Sequence, residues 1–230
     1  MVYENESCKK PVAFSDVLFA KIDYLQIDLA DDQTSQNYYG LRFEKNGLFE
    51  EIFHPCKDFI ANIVQNLTRH CVLKKFSEDF SIIESIGTGS FSSVWKCEDK
   101  YTNEECAVKV LDKKRLVQKN NLGQILYEIT TLKSFQEQKN DYCINLKYIY
   151  EGKKYLYLVT DICKGDNLFD HYIKNKDNFC ELDCLRAIRS VLKGLAYLEK
   201  KEIIHRDIKP ANIVLKEEND IDNCTIVDFG

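Results

Sequence analysis

The sequence predicts an α+β chain in which strands dominate the first two thirds and helices the last third. Three observations lead there. Apolar side chains run in strand-like patterns over residues 14–53, from Phe80 to Leu111 and over 146–160, the first stretch alternating with period two as a sheet with one buried face requires. Stripes of helical period interrupt them after Pro55 and at about 121–136, and take over beyond Asp161. The return from helix to strand near residue 77 separates a small segment of strands plus one helix, residues 1–76, from a larger unit, residues 77–230.

Within the first segment, Ile22 and Tyr24 alternate in one phase and Leu25, Ile27 and Leu29 in the next, a slip that predicts a bulge. A polar loop over 31–37 precedes Tyr39, Leu41 and Phe43, which lead into Asn46-Gly47, a hairpin turn favoured because both residues tolerate positive φ. Phe59, Ile60, Ile63, Val64, Leu67 and Cys71 then form one helical stripe. From Phe80 the strand pattern returns with Ile82, Ile83 and Ile86 before Gly87, then over 94–97 and 106–111. A helix at about 121–136 is followed by strands at 146–150 and 155–160. A short helix near 168–174 comes next, then a longer one with Leu185, Ile188, Val191, Leu192, Leu195 and Leu198 on one face. Residues 213–215 and 225–227 read as a short hairpin around an acidic loop, and no internal repeat is visible.

Composition bounds the function. The 230 residues are 44% hydrophobic, with 3 Pro and 9 Gly, which suits one medium domain or a small domain plus part of another and leaves no room for long linkers. A net charge of −5, from 32 Lys+Arg against 37 Asp+Glu, argues against a protein that coats nucleic acid, though not against a local basic patch. No apolar run approaches the roughly 18 residues of a membrane span. Ten cysteines would suit a disulfide framework in a secreted chain, but residues 1–11 are polar and carry no signal-like segment, so a reducing cytoplasm is expected. No Cys-x-x-Cys pair occurs. Cys180 and Cys184 stand one helical turn apart with no matching pair, so buried small hydrophobes are favoured over zinc ligands.

The chemistry-bearing residues fall in the second unit. Gly87-Thr88-Gly89, with Ser90, Phe91 and Ser92 after it, is a turn whose backbone N–H groups can approach phosphates. An ordinary hairpin is the alternative; a dinucleotide-binding fold would need a helix next, whereas 94–97 is strand-like. Ala107 and Lys109 share one face of a strand, where a lysine by itself reads as a solvent-facing edge residue. Glu128, however, lies three after Ile125 and four before Leu132, so it projects from an apolar stripe and needs a cation that Lys109 can supply. The densest cluster is His205-Arg206-Asp207-Ile208-Lys209-Pro210-Ala211-Asn212, followed by Asp228-Phe229-Gly230: carboxylate and amide oxygens suited to magnesium and an ammonium suited to phosphate.

On these motifs, residues from about 77 to 230 resemble a eukaryotic protein kinase catalytic domain. Gly87, Gly89 and Val94 match the glycine-rich loop, with Ser92 in place of its third glycine. Cys106-Ala107-Val108-Lys109 matches the strand of the nucleotide lysine, and Glu128 its helix partner. His205-Arg206-Asp207 with Asn212 matches the catalytic loop, and Asp228-Phe229-Gly230 the magnesium-binding triplet. Lys209 makes the loop similar to those of serine/threonine kinases, and the whole resembles the calcium/calmodulin-dependent type.

The resemblance implies a two-lobed fold, with a small lobe at 77–160, a hinge at 161–165 and the start of a large lobe at 166–230. It implies ATP and Mg²⁺ as cofactors and a protein serine or threonine as substrate. Lys109 would hold the α- and β-phosphates, and the amides from Thr88 to Ser92, with Ser90 and Phe91 between, would cover them. Asn212 and Asp228 would hold the metal, Asp207 would take the hydroxyl proton, and Lys209 would offset charge on the phosphoryl group. Val94, Ala107 and Val214 would sandwich adenine, with Thr160 at the gatekeeper position and Asp161 to Cys163 offering backbone groups.

Two further expectations follow. The chain ends at Gly230, inside a motif the family's fold holds in its interior, so it reads as incomplete, with a doubtful activity of its own and an apolar helix face left uncovered. Residues 1–76 resemble the end of a pleckstrin-homology domain, or else an unrelated extension; neither strong lipid binding nor calmodulin binding is supported. The rival functions are a nucleotide-binding regulatory module without phosphotransfer and an interaction or membrane-adaptor protein acting through residues 1–76.

Overall fold

The computed structural model describes residues 21–31, 34–45, 48–67, 71–73, 75–89, 92–118, 121–136 and 140–229. They fall into two compact units that divide between residues 74 and 75.

The first unit is an antiparallel meander of β1 (Lys21–Asp31), β2 (Thr34–Lys45) and β3 (Leu48–His54), then α1 (Lys57–Leu67) and a two-residue strand β4 (Val72–Leu73) parallel to β1. Leu41 and Phe43, on one face of β2, pack with Ile22, Ile60 and Cys71 in a core flanked by Tyr39, Ile52, Ile63, Leu67 and Leu73. Lys45 stands opposite Leu48, so Asn46-Gly47 joins the two strands, although these two residues lie outside the described set. Gly40 faces Phe53, and a β-carbon there would meet the Phe53 ring at 2.5 Å, so glycine alone lets β2 and β3 close.

Four expectations for this unit are corrected. The polar loop over 31–37 is a tight hairpin instead, with Asp31 already paired to Thr34. The phase slip in β1 produces no bulge, because β1 keeps one-for-one pairing with β2 from Lys21 to Asp31 and the ladder holds against the uneven apolar pattern. Cys71 is buried but lies beyond α1, which ends at Leu67. Phe59 is 48% exposed and rests its ring 4.2 Å from that of His54 rather than joining the core. Residues 14–20 of the expected first strand lie outside the described residues.

The second unit opens with the short α2 (Phe76–Asp79) and a five-stranded antiparallel sheet. Its strands are β5 (Phe80–Thr88), β6 (Ser92–Asp99), β7 (Glu105–Asp112), β8 (Leu146–Glu151) and β9 (Tyr155–Thr160), in the order β8-β9-β7-β6-β5. Between β7 and β8 come α3 (Lys113–Gln118) and α4 (Leu122–Gln136). The central strands β7 and β9 carry the fully buried Val108, Leu111, Leu158 and Val159, as strands covered on both sides should. An aromatic group of Phe76, Phe80, Tyr150 and Tyr157 ties α2 to the sheet, with the Phe76 and Tyr157 rings stacked at 4.5 Å.

Helices follow: α5 (Leu168–Lys174), capped by the Asn167 side chain, and α6 (Glu181–Lys200). A single 3₁₀ turn (Pro210–Asn212) leads into the hairpin of β10 (Ile213–Leu215) and β11 (Cys224–Ile226). The apolar face expected to lie uncovered on α6 is seen in three of its residues. Ala187, Ser190, Val191, Gly194 and Leu198 face inward, while Leu185, Ile188 and Leu192 are exposed. Small residues win here because β11 approaches closely: a β-carbon on Gly194 would sit 2.7 Å from Ile226 Cδ1. No helix of the described residues is long and apolar enough to cross a membrane.

Candidate active site

β7 lies between β6 and β9, which fixes Lys109 opposite both Val94 and Leu158 and Ala107 opposite Thr160. From that central position the Lys109 ammonium donates to Glu128 Oε1 at 2.6 Å and to Asp228 Oδ1 at 2.8 Å. Glu128 is only 3% exposed because its neighbours on α4, Ile125, Ile129 and Leu132, are core residues. Its second oxygen, Oε2, is buried with no hydrogen-bond partner among the described residues. Burial pushes the Glu128 carboxyl up, and Lys109 offsets this only in part. Burial alone would lower the Lys109 ammonium, but the two carboxylates outweigh it and hold the group above its ordinary value.

The glycine turn joins β5 to β6. Gly87 stands opposite Val94, the β5–β6 ladder shifts register between Ser85 and Gly87, and the Gly89 N–H donates to Ser92 O at 2.7 Å. Thr88 is exposed beside them, and Ser90 and Phe91 lie outside the described residues.

The loop after α6 is organised by His205, which sequence reading placed in a motif without giving it a task. His205 is buried; its Nδ1 accepts the Asp207 N–H at 3.3 Å, which leaves Nε2 to donate to Val227 O at 2.9 Å. The Val227 N–H in turn donates to Asn212 O at 3.0 Å, so the loop and the residue before Asp228 are tied twice. Within the loop, Asp207 Oδ2 accepts from Lys209 Nζ at 2.7 Å and Asn212 Nδ2 at 3.0 Å, and Asn212 Nδ2 also donates to Asp207 O at 2.9 Å. The Lys209 bond leads in holding the Asp207 carboxyl below the usual carboxylate range, with Asn212 assisting.

Asp228 adopts φ 63°, a left-handed conformation that aspartate tolerates better than most residues. Phe229, next in the chain, is buried with its ring 4.8 Å from His205 and 5.1 Å from Phe135 of α4. Nothing in the sequence singled out Phe135, which reads as one more apolar residue of its helix. Gly230 lies outside the described residues.

At the end of β9, the Thr160 hydroxyl donates to Asp161 O at 3.0 Å and the Asp161 N–H donates to Asn145 O at 3.1 Å. The Asp161 carboxylate accepts from Asn145 Nδ2 at 3.0 Å, another partner that spacing did not reveal. Cys163 is half-buried, with its thiol pushed up to about 11 by burial. Val214 sits in β10 opposite Thr225. The structure therefore joins Lys109, Glu128 and Asp228 in one set and Asp207, Lys209 and Asn212 in another, and links the sets through Val227. Asp207 also lines an open groove of about 700 Å³ with Tyr127 and Arg206, whose guanidinium stacks 4.3 Å from the Tyr127 ring centroid.

A sheet lobe carrying a lysine that reaches a buried helix glutamate, above a loop with paired aspartate, lysine and asparagine, defines the protein-kinase class. Residues 80–230 match the family model described as protein kinase domain, and the chain belongs to that family. It is 34% identical over 217 residues to calcium-dependent protein kinase 4 of Plasmodium berghei (strain Anka), covering 89% of this chain and 40% of that protein. The protein of the same name in Plasmodium falciparum (isolate 3D7) is 38% identical over 159 residues, 67% of this chain and 29% of that one. Ribosomal protein S6 kinase 2 alpha of Gallus gallus is 34% identical over 197 residues, 85% of this chain and 25% of that protein. The chain thus spans less than half the length of these relatives.

Proposed function

We propose that the chain transfers the γ-phosphoryl group of ATP, in the presence of Mg²⁺, to serine or threonine hydroxyls of a protein in the cytoplasm. The observation that carries this reading is Lys109, whose ammonium is held at once by Glu128 and Asp228. The donor set fits a magnesium nucleotide. Both bonds of the Asn212 amide use Nδ2, which leaves its oxygen as the remaining donor, and Asp228 adds a carboxylate; hard oxygens of this kind suit magnesium. When bound, the magnesium nucleotide supplies the transferable phosphoryl group and a divalent charge against its oxygens.

The residues of the chain bind, orient and move a proton. Lys109 meets the α- and β-phosphates, with Glu128 fixing its rotamer, and the amides of Thr88 and Ser92 cover the phosphates beside Gly87 and Gly89. Val94 and Ala107 from the sheet and Val214 from β10 contact the base, while Thr160 borders it and the backbone of Asp161 and Cys163 meets its edge. Asp207 receives the hydroxyl proton. With its pKa held low it is a weak base, so it orients the hydroxyl first and takes the proton only as the new O–P bond acidifies it. Lys209 then offsets charge on the transferred group.

The test pairs two measurements on the chain: a thermal shift with Mg²⁺-ATP and transfer of labelled phosphate to a protein substrate. Lys109→Met should abolish transfer. A thermal shift without any transfer in the unaltered chain would favour a nucleotide-binding module, and no response in either would overturn the nucleotide site. For the first unit, the meander followed by α1 supports a pleckstrin-homology-like reading without strong lipid binding; inositol-lipid-dependent pull-down of the chain through that unit would refute it.

A further inference from the structure

Nine cysteines occur among the described residues, all as free thiols. Cys71, Cys97, Cys106, Cys143 and Cys224 are buried, and burial pushes Cys97 and Cys143 up to about 12 and Cys224 to about 11. Such groups offer little thiolate and little access to an oxidant. The expectation that Cys180 and Cys184 are also buried hydrophobes is wrong: with Cys56, they are the exposed thiols of the described chain. Two of these three therefore stand one turn apart at the start of a twenty-residue helix.

Their local geometry is specific. Cys180 is the N-cap residue of α6 with extended backbone, φ −116° and ψ 173°, and its thiol donates to Asp183 Oδ2 at 3.3 Å. The Cys184 N–H donates to Cys180 O at 3.3 Å, so the two residues bracket a closed turn. Side chains four apart on a helix have β-carbons about 5–6 Å apart, against about 3.5–4.5 Å in a disulfide. Cys180 lies outside the helix proper, so it is its backbone, not its side-chain rotamer, that must shift to bring the β-carbons into that range, giving up its hydrogen bonds to Asp183. The resulting bond would be exposed and mildly strained, a combination that favours exchange over permanence.

We propose that Cys180 and Cys184 form a dithiol site that glutathione disulfide oxidises to a local disulfide. One thiol loses its proton to solvent, and its thiolate attacks a sulfur of glutathione disulfide, breaking that bond and releasing one glutathione thiolate. The second protein thiolate attacks the protein sulfur of the mixed disulfide and releases the other. Two protein thiols are oxidised, one glutathione disulfide is reduced, and the two protons end on the two glutathione thiols. The bridge locks the first turn of α6. The turns after it hold the loop before β11, through Arg186 to the Asp222 carboxylate and Ser190 to Asp222 O.

The full chain is incubated in reducing and oxidising glutathione buffers, quenched in acid, alkylated and mapped by mass spectrometry. In the oxidising buffer the peptide carrying both residues should lose two hydrogens and take no label, and regain both labels after dithiothreitol. Amide exchange at Cys184 should slow severalfold. Cys180→Ser, which keeps a favoured N-cap residue, should leave one glutathione on Cys184 instead. Equal labelling in both buffers, stable glutathione on both thiols without closure, or a bridge to a different cysteine would each overturn the proposal.

Discussion

Replacing Gly165 by alanine probes how the segment after Cys163 is held against β10. Three backbone hydrogen bonds join them: Lys164 N–H to Lys216 O at 2.9 Å, Gly165 N–H to Leu215 O at 3.1 Å and Leu215 N–H to Asp166 O at 3.0 Å. A β-carbon on Gly165 would stand 2.6 Å from Glu217 O, 2.7 Å from Leu215 Cβ and 2.9 Å from Leu215 O. Carbon contacts settle near 3.5–4.0 Å, so the segment must withdraw by roughly an ångström, because carbonyl oxygens of the main chain cannot swing aside. Overpacking of this kind costs about 1–3 kcal/mol, and each stretched hydrogen bond up to about 1 kcal/mol. Together they come to about 3 kcal/mol, roughly a hundredfold in the unfolding equilibrium. Trp95 is the only tryptophan and lies in β6 of the same unit, so its fluorescence during urea unfolding reports this unit. Gly123→Ala is the control: nothing lies within 4 Å of a β-carbon there, and alanine in α4 gains up to about 1 kcal/mol. An unchanged midpoint for Gly165→Ala beside a raised one for Gly123→Ala would refute the close-approach argument.

Glu128→Gln leaves Lys109 with Asp228 as its charged partner, so the loss of stability should stay below the roughly 3–5 kcal/mol of a buried pair with no second anion, while phosphotransfer falls at least a hundredfold. Equal activity would remove Glu128 from the positioning of Lys109. Asp207 has a lowered pKa in the fold, so its carboxylate stays charged until pH drops below the ordinary carboxylate range; Lys209→Ala should move its NMR titration midpoint upward toward that range, and an unmoved midpoint would exclude Lys209 as the cause. Phe135 is fully buried with rings of Phe229 and Tyr197 at 5.1 and 5.5 Å, so Phe135→Ala should cost about 3–5 kcal/mol by Trp95 fluorescence. A cost under about 1 kcal/mol would mean that the site collapses around the missing ring.

Much of this architecture is legible in the amino-acid order because its determinants are local. Lys45 stands against Leu48, the register that Asn46-Gly47 in the sequence predicts, and the spacing of Glu128 between Ile125 and Leu132 already places a carboxylate in the core. What escapes depends on distant partners or on residues with no hydrophobic signature. Lys109 and Asp228 are 119 positions apart, and no periodicity announces their contact. His205 reads as one letter of a motif until Val227 O is seen to accept a hydrogen bond from its Nε2. The inward face of α6 is written in Ala187, Ser190 and Gly194, small residues that give an apolar stripe almost no weight, so the stripe of Leu185, Ile188 and Leu192 marks the uncovered face and not the packed one. The exposure of Cys180 and Cys184 is hidden for the same reason: cysteine is as common in cores as any small hydrophobe.

The shared lysine has one further consequence. One ammonium divided between two carboxylates leaves the Lys109 set with an excess of negative charge, while Asp207 and Lys209 balance each other. A ligand rich in anionic oxygen meets that excess, screened by solvent at the half-exposed Asp228 and less so at the buried Glu128. Under the proposed function, such a site would select by electroneutrality as well as by shape. A bare polyphosphate arrives with its charge uncompensated, whereas one that brings its own counterion arrives close to balance.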